Sequence, residues 1–510
     1  MKKARSYSVI LALFCFIFLA VAGCTEGQDR AESDSKKLSF AFPWSPKSLD
    51  PHGSDSWEVM RSGAGETLVK LNEDLKPEPW LASSWERKDR KTWTFTLKGN
   101  VSFHNGEKMS AESVKKSLLR SNEKDSKVKD LLNLETIRVI DDHKIEIVTK
   151  QPNEALISHL ADPSTIIADV STLDGKEEYP ALTGAFQFEE FNKDESLIMK
   201  RNEGYWGQKA SVEEIDIKFI SDGNTRLMAL QSGDVDGAVD ISTDQISVLK
   251  NSDNINVLTA PSLRTHMMMF NMNSARVTNL SIRQAIDKVL PREEILTSIM
   301  KNEGAKGNGP FPEVLSFGKV KQSQENQSFD SLMKQGGYTK EGGVWTKGGE
   351  PLQLTMLTFP QRPELTVMAE TIQSSLLKEG IKVKVRSVEN IDDVLAEDNW
   401  DLSMYSMLTA HTGDPQYFLN LFYNSKSLAN VSHYNSAEVD KLLTELNQTS
   451  GEKEREEIAI KIGNQINKDI PQSFIVYPNT VFGVNEKVKN FEPSPIEYYY
   501  ITPNVDVSSS

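Results

Sequence analysis

The chain has 510 residues, a formal net charge of -15, 26% charged and 38% hydrophobic residues. That length exceeds what one hydrophobic core supports, so two or three domains are expected, and the composition is that of a globular protein. The acidic balance argues against nucleic acid as a partner and against a basic surface laid on a membrane.

In chain order, Lys2, Lys3 and Arg5 make a basic start, and Val9 to Ala22 is an apolar run of about 14 residues, the length of a secretory h-region. A settled transmembrane helix needs about 20. Val21-Ala22-Gly23-Cys24 resembles the bacterial lipobox, which makes residues 1–23 a signal peptide and Cys24 the lipidated (palmitate-bearing) first residue of the mature chain. Cys15 lies in the segment to be removed. The mature chain would then have no unmodified thiol for a disulfide, a nucleophile or a metal. Residues 24–38 are polar and suit a flexible tether. No later segment has 18 consecutive apolar residues.

Lys37–Ala41 reads as a strand, and W-T-F-T-L (93–97) alternates with period 2 as a strand does. Asn105-Gly106 is a turn, and Ser110 is placed to cap a helix carrying Val114, Leu118 and Leu119. Strands follow at Thr136–Ile140 and Lys144–Thr149, a helix at Asn153–Leu160, and strands at Ala185–Glu190, Leu197–Arg201 and Ile215–Phe219. A helix over Arg226–Ser232 ends at Gly233, and Arg264–Asn271 is again a strand. Helices are expected at 281–290 and 292–299, a strand at Leu352–Leu357, a helix over Glu364–Glu379 ended by Gly380, and strands at Ile381–Ser387 and Asp401–Ser406. Residues 437–469 are strongly helical, with Val439, Leu442, Leu443 and Leu446 on one face, and Ser473–Tyr477 is a final strand. The β-α-β alternation of the second half implies a sheet with parallel strands and helices on its faces.

Several stretches stand in a telling order: L-D-P-H (49–52), E-P-W-L-A-S-S-W (78–85), W-T-F-T-L-K-G-N-V-S-F-H-N-G-E (93–107), S-A-E-S-V (110–114), L-T-G-A-F-Q-F (182–188) and R-N-E-G-Y-W-G (201–207). They continue with G-D-V-D (233–236), F-N-M-N (270–273), I-R-Q-A-I (282–286), T-G-D-P-Q-Y-F-L (412–419) and H-Y-N-S-A-E-V-D-K-L (433–442). Together, from about residue 38 to 480, they resemble the family-5 extracellular solute-binding proteins, the substrate-capture lipoproteins of ABC importers for peptides, nickel chelates and related solutes. The resemblance implies an α/β, two-lobed, type II periplasmic-binding-protein-like fold with an extra third domain and a hinge-closed cleft. It implies a discontinuous lobe of residues 39–60, 185–270 and 480–510, an extra domain of 61–184, and a second lobe of 271–479. It further implies a monomer on the outer face of the cell membrane, held by its lipid, that hands cargo to a membrane permease driven by a cytoplasmic ATPase. No catalytic cofactor and no nucleic acid are expected. The residues agree that the chain is not an enzyme: G-x-S-x-G and H-E-x-x-H are absent, and Gly63-Ala64-Gly65 lacks the third glycine of a dinucleotide loop.

S-L-R-T-H-M, Q-R-P-E-L and L-T-A-H-T-G-D-P are similar to the nickel–histidine branch of that family, which implies a Ni(II)–amino-acid chelate as cargo. Such a cargo suits two arginines as forks for its carboxylates and an imidazole to complete a borderline metal. Arg264, on a strand, and Arg362, in a loop before a helix, are the candidate clamp, and His52 is the candidate metal ligand. Trp57, Tyr405, His411 and Tyr417 are candidate cleft residues. Arg264 could equally pair with an acid such as Asp236 or Asp240, and Arg362 could be exposed. Period 2 puts Arg264, His266, Met268 and Phe270 on one face, where His266 reads as packed near the hinge. Trp400 and Met267–Met269 read as core, and His104, His143, His159 and His433 as structural or surface. L-A-D-P-S-T (160–165) lacks the arginine of a large-metallophore branch. The alternative cargo is a di- or oligopeptide, and a peptide-sensing receptor or chaperone is a more distant reading.

Overall fold

The Gln472–Asn485 strand runs through the middle of the molecule, 14 residues long where five were expected. Its early residues pair antiparallel with Arg264–Phe270 and Gly304–Lys306, and its later ones with Ile255–Pro261 and Gly237–Ala238. It thereby joins two half-sheets into one sheet of twelve strands. The computed structural model describes residues 36–321, 326–397 and 399–508; Cys24, the signal segment and nearly all of the tether lie outside them.

One half-sheet is built on Lys37–Phe42, parallel to Glu214–Phe219, with Ser196–Arg201 and Phe186–Asn192 following antiparallel. The other carries Arg264–Phe270 beside Leu402–Leu408, then Gln353–Thr358 and Lys382–Ser387, the last three mutually parallel. The parallel pair Gln353–Thr358 and Lys382–Ser387 is joined by the helix Pro363–Lys378, as the β-α-β pattern requires. That helix buries Leu365, Met368, Ala369, Ile372 and Leu376, the spacing of one helical face. Gly380 at φ +92 turns the chain back towards the sheet, a conformation that a Cβ would oppose. Met267, Met268, Met269 and Phe270 are all fully buried, because helices and loops cover both faces of this half-sheet.

Residues between 68 and 181 have a hydrophobic core of their own. It packs under the antiparallel sheet of Ala82–Arg87, Thr92–Leu97, Lys144–Thr149 and Leu134–Asp141. Ser110 caps the helix Ala111–Lys124 reciprocally with Ser113, as its position suggested.

Local readings failed where side chains intervene. The helical stretch 437–469 is two helices, Ala437–Gln448 and Glu452–Asp469, because Arg455 turns back to donate to the Leu446 and Thr449 carbonyls. The helix expected over 153–160 is reduced to Leu156–His159, with the Asn153 side chain donating instead to the Leu131 carbonyl. The helix expected over 292–299 changes to a π turn at Ile295–Ile299. The strand Ile255–Pro261 and the helix Gln416–Tyr423 carried no recognised signal.

The R-N-E-G-Y-W-G stretch has a structural task. Tyr205 Oη and Trp206 Nε1 donate to the Glu66 carboxylate at 2.7 and 2.8 Å, and Thr183 Oγ1 donates at 2.8 Å. Burial pushes Glu66 up to about 7, against the pull of those three donors and of Lys98. Glu66 therefore holds its proton more tightly folded than unfolded. That advantage is complete below its ordinary value of 4.5 and is lost as pH rises to about 7. Relative to Glu66→Gln, wild-type unfolding free energy is expected to fall by roughly 3 kcal/mol across that window, read by urea denaturation at a series of pH values.

Candidate functional site

Where the chain passes between the half-sheets, it encloses a cavity of about 580 Å³. One wall is the loop after Asp240 and the start of the helix Gly223–Ser232, from the first half-sheet. The opposite wall is Gln361–Glu364, from the second. Arg264, His266, Glu497 and Tyr500 complete it at the crossing.

Arg264 opens its strand directly after the turn that links it to Ile255–Pro261. Its guanidinium is held by Glu497, with Nε to Oε1 at 3.2 Å and one terminal nitrogen to Oε2 at 2.8 Å, and the other terminal nitrogen donates to Ser406 Oγ at 3.2 Å. Ser262 Oγ adds a 2.6 Å bond to the same carboxylate. Burial would raise Glu497, yet the charge and hydrogen bonds of Arg264, with Arg362 and Ser262, hold it at about 2. Arg264 thus pairs with an acid, though with Glu497 and not with Asp236 or Asp240; Asp236 is taken by Lys487 at 2.6 Å.

Arg362 precedes Pro363, the first residue of its helix, and faces into the cavity. Its nearest acid oxygen is Oδ2 of Asp240, on the opposite wall, at 3.7 Å, and its side chain is 17% exposed. Among the described residues no hydrogen-bond acceptor engages its guanidinium. Burial works against that charge, while Asp240, Glu364 and Glu497 hold Arg362 protonated. Glu364 is pushed up by burial against the pull of Arg362.

The other candidates lie elsewhere. His52, expected as the metal ligand, is 1% exposed and outside the cavity. Its Nε2 bonds to the Ile166 carbonyl at 2.9 Å and its Nδ1 meets an Arg120 nitrogen at 2.9 Å. Both nitrogens are engaged, and burial first, with the Arg120 charge, lowers its pKa to about 4. The ligand expectation for His52 is corrected on that geometry: the ring ties its loop to Arg120 and the Ile166 carbonyl. Trp57, His411 and Tyr417 come together in a second, buried cluster. His411 Nε2 lies 2.9 Å from Asp162 Oδ2, and its ring packs at 5.8 Å from Trp57 and 5.2 Å from Tyr417. Lys127 also holds Asp162, at 2.9 Å. Tyr405 donates to Asp392 at 2.9 Å and packs on Phe422, away from the cavity.

Residues that the sequence reading passed over include Glu364, Glu497 and Tyr500, while Asp240 had been named only as a partner for Arg264. Period 2 had placed His266 on the face of Arg264, a usable signal, whereas nothing in S-P-I-E-Y-Y-Y (494–500) marks Glu497 as facing a residue 233 positions away.

A cavity walled by two half-sheets and closed at a strand crossing defines a protein that encloses a small solute between lobes. Residues 76–430 match the model of the bacterial extracellular solute-binding proteins, family 5. The chain belongs to that family, as its motifs implied. It is 30% identical over 494 residues to the nickel-binding protein NikA of Staphylococcus aureus, covering 96% of this chain and 97% of that one. It is 28% identical to the probable D,D-dipeptide-binding periplasmic protein DdpA of Escherichia coli, covering 88% and 90%. The crystal structure of Staphylococcus aureus NikA in complex with Ni(L-His)2 superposes with a TM-score of 0.82 at 29% identity, covering 93% of this chain and all of that one. No helix among the described residues is long and apolar enough to cross a membrane.

Arg264→Ala would leave Glu497 buried without its counter-charge. It is expected to cost about 3–5 kcal/mol of folding stability, measured by denaturant unfolding of the empty protein.

Proposed function

We propose that this protein captures a nickel chelate with histidine outside the cytoplasm and delivers it to the membrane permease of an ABC importer. The observation that carries this reading is Arg362, a half-buried guanidinium facing the cavity with no hydrogen-bonding acceptor among the described residues. Such a group is a ready partner for a carboxylate of the cargo. The relative NikA supports the metal, being described as nickel-binding and seen with Ni(L-His)2.

The proposed clamp is asymmetric. Arg362 takes a cargo carboxylate directly, while Arg264, saturated by Glu497, fixes the shape of the crossing and reaches cargo only by giving up part of that pair. Asp240 and Arg362 stand on opposite walls, so cargo bound between them favours the closed arrangement through its greater affinity for it. We assign residues 39–60, 185–270 and 480–510 to one lobe, 61–184 to the extra domain and 271–479 to the other lobe. Cys24 is the lipid anchor that keeps the protein at the membrane beside its permease and the attached ATPase.

A second reading is favoured by the acids of the same cavity. Arg362 could bind the carboxyl end of a dipeptide, with Asp240 or Glu364 near its amino end, and DdpA, a probable D,D-dipeptide binder, supports it.

Calorimetric titration of the mature protein with Ni²⁺, with and without histidine, and with di- to pentapeptides separates the two. Binding that requires nickel and histidine together is the expected result; tight peptide binding without any response to nickel–histidine would overturn it. Arg362→Ala is expected to weaken the chelate by about 2–4 kcal/mol, with denaturant stability close to wild type.

A further inference from the structure

Glu364 stands in the first turn of the helix Pro363–Lys378, just beyond the cavity-facing Arg362. Its Oε1 lies 3.5 Å from His266 Nε2, with its side chain 25% exposed and that of His266 2%. Across the cavity stands Asp240, whose Oδ2 is 3.7 Å from Arg362. One guanidinium thus serves two carboxylates of the protein itself. We infer that capture of the chelate loads one proton from solvent onto Glu364, because the cargo's carboxylate takes over the guanidinium that keeps this acid charged. The inference rests on the nickel-chelate reading above, in which that carboxylate lies on Arg362.

The surrounding charges set the direction. Burial, helped by the charge of Asp240, raises Glu364 above its ordinary value against the pull of Arg362, of a backbone N–H and of Arg264. Arg264 has little to spare, since Glu497 and Ser406 already occupy its guanidinium. A cargo carboxylate on Arg362 therefore removes the main support of the Glu364 charge and sets a further negative charge beside it. Asp240 can meet this by turning to water, its side chain being 40% exposed. Glu364, packed against His266 of the strand Arg264–Phe270, has less water to turn to, and a proton is the remaining compensation.

The neutral acid also has a partner. His266 Nδ1 lies 2.9 Å from Ser406 Oγ, which accepts from Arg264 as well, and an oxygen with two lone pairs can accept from both. With the ring proton on Nδ1, the bare Nε2 is an acceptor for a proton on Glu364 Oε1, and a small approach closes the 3.5 Å gap. Burial first, then the charges of Arg362 and Arg264, hold His266 well below its ordinary value, so the ring accepts that bond and stays neutral. The wall then loses its own negative charge as the cargo brings one. Glu364 is more basic with cargo than without it. The added affinity is therefore complete below its value in the free protein and is lost as pH rises through its value in the complex. Between the two, affinity falls by up to about tenfold per pH unit.

The test titrates the mature protein and its Glu364→Gln variant with preformed nickel–histidine complex, by calorimetry in buffers of different ionisation heat at a series of pH values. Protons exchanged by the complex itself are common to both proteins and cancel in the difference. Wild type is expected to take up as much as about one proton more per cargo than Glu364→Gln. At the alkaline end of the series Glu364→Gln, whose amide copies the neutral acid, is expected to bind more tightly than wild type by about tenfold. Should Glu364→Gln not fold, difference infrared spectra of wild type decide: a protonated-carboxyl band must grow on binding. Equal proton numbers in the two proteins, or no such band in wild type, overturn the inference and leave the nickel reading standing. Failure of wild type to take up nickel–histidine overturns both.

Discussion

The Gln472–Asn485 strand is hydrogen-bonded to both half-sheets, and everything placed at the crossing has to be built against it. The partner strands Ile255–Pro261 and Arg264–Phe270 change over at Ser262-Leu263, where Ser262, Arg264 and Glu497 are bonded to one another. The register along Gln472–Asn485 also shifts between the positions facing His266 and Met267. A continuous ladder would be stiff. The interruption lies between two packed half-sheets beside the cavity, and the Arg264–Glu497 pair holds it in one arrangement. This is the use of a buried pair in which geometry, more than net stability, is at stake.

That constraint sets the charge balance of the site. Arg264 and Glu497 cancel, and the C-terminal segment bearing Glu497 is itself fixed, since Arg61 donates to the Glu497 carbonyl at 2.8 Å while its guanidinium sits 4.4 Å from the Trp44 ring. Facing the cavity are Arg362 from one wall, Asp222, Asp240 and Asp244 from the other, and the His266–Glu364 pair between. A zwitterionic chelate or a short peptide matches this alternation of charge; a lipid or a nucleic acid does not. The second cluster, around His411, Asp162 and Lys127, joins the stretch 127–162 to the loop after Leu402–Leu408 and carries Trp57 and Tyr417 with it. Those two aromatics each pack on the His411 ring.

Much of the fold could be read in advance. The strands at 37–42 and 264–270, the β-α-β unit around 353–387 and the Ser110 cap follow from periodicity and capping chemistry, which act within a few residues. The break in 437–469 could not be read, because Arg455 supplies it by reaching back to carbonyls of the preceding helix and onward to Asp414. For the site, Arg264 and Arg362 were legible as cavity residues, whereas His52 was misplaced. A histidine in a proline-containing loop has the same local sequence whether it faces a solute or, as here, a carbonyl 114 residues away.

By itself, the sequence determined most of the elements and the order of motifs that marks the family, and it offered Arg264 and Arg362 as candidates without deciding which way they face. Those properties depend on neighbours in the chain or on stretches short enough to quote. Only the tertiary structure decided which arginine is already neutralised and which histidine faces the cavity. Both depend on Glu497, Ser406 and Ile166, residues brought close by the strand crossing and by long-range packing, and contacts at that separation leave no periodic trace along the chain.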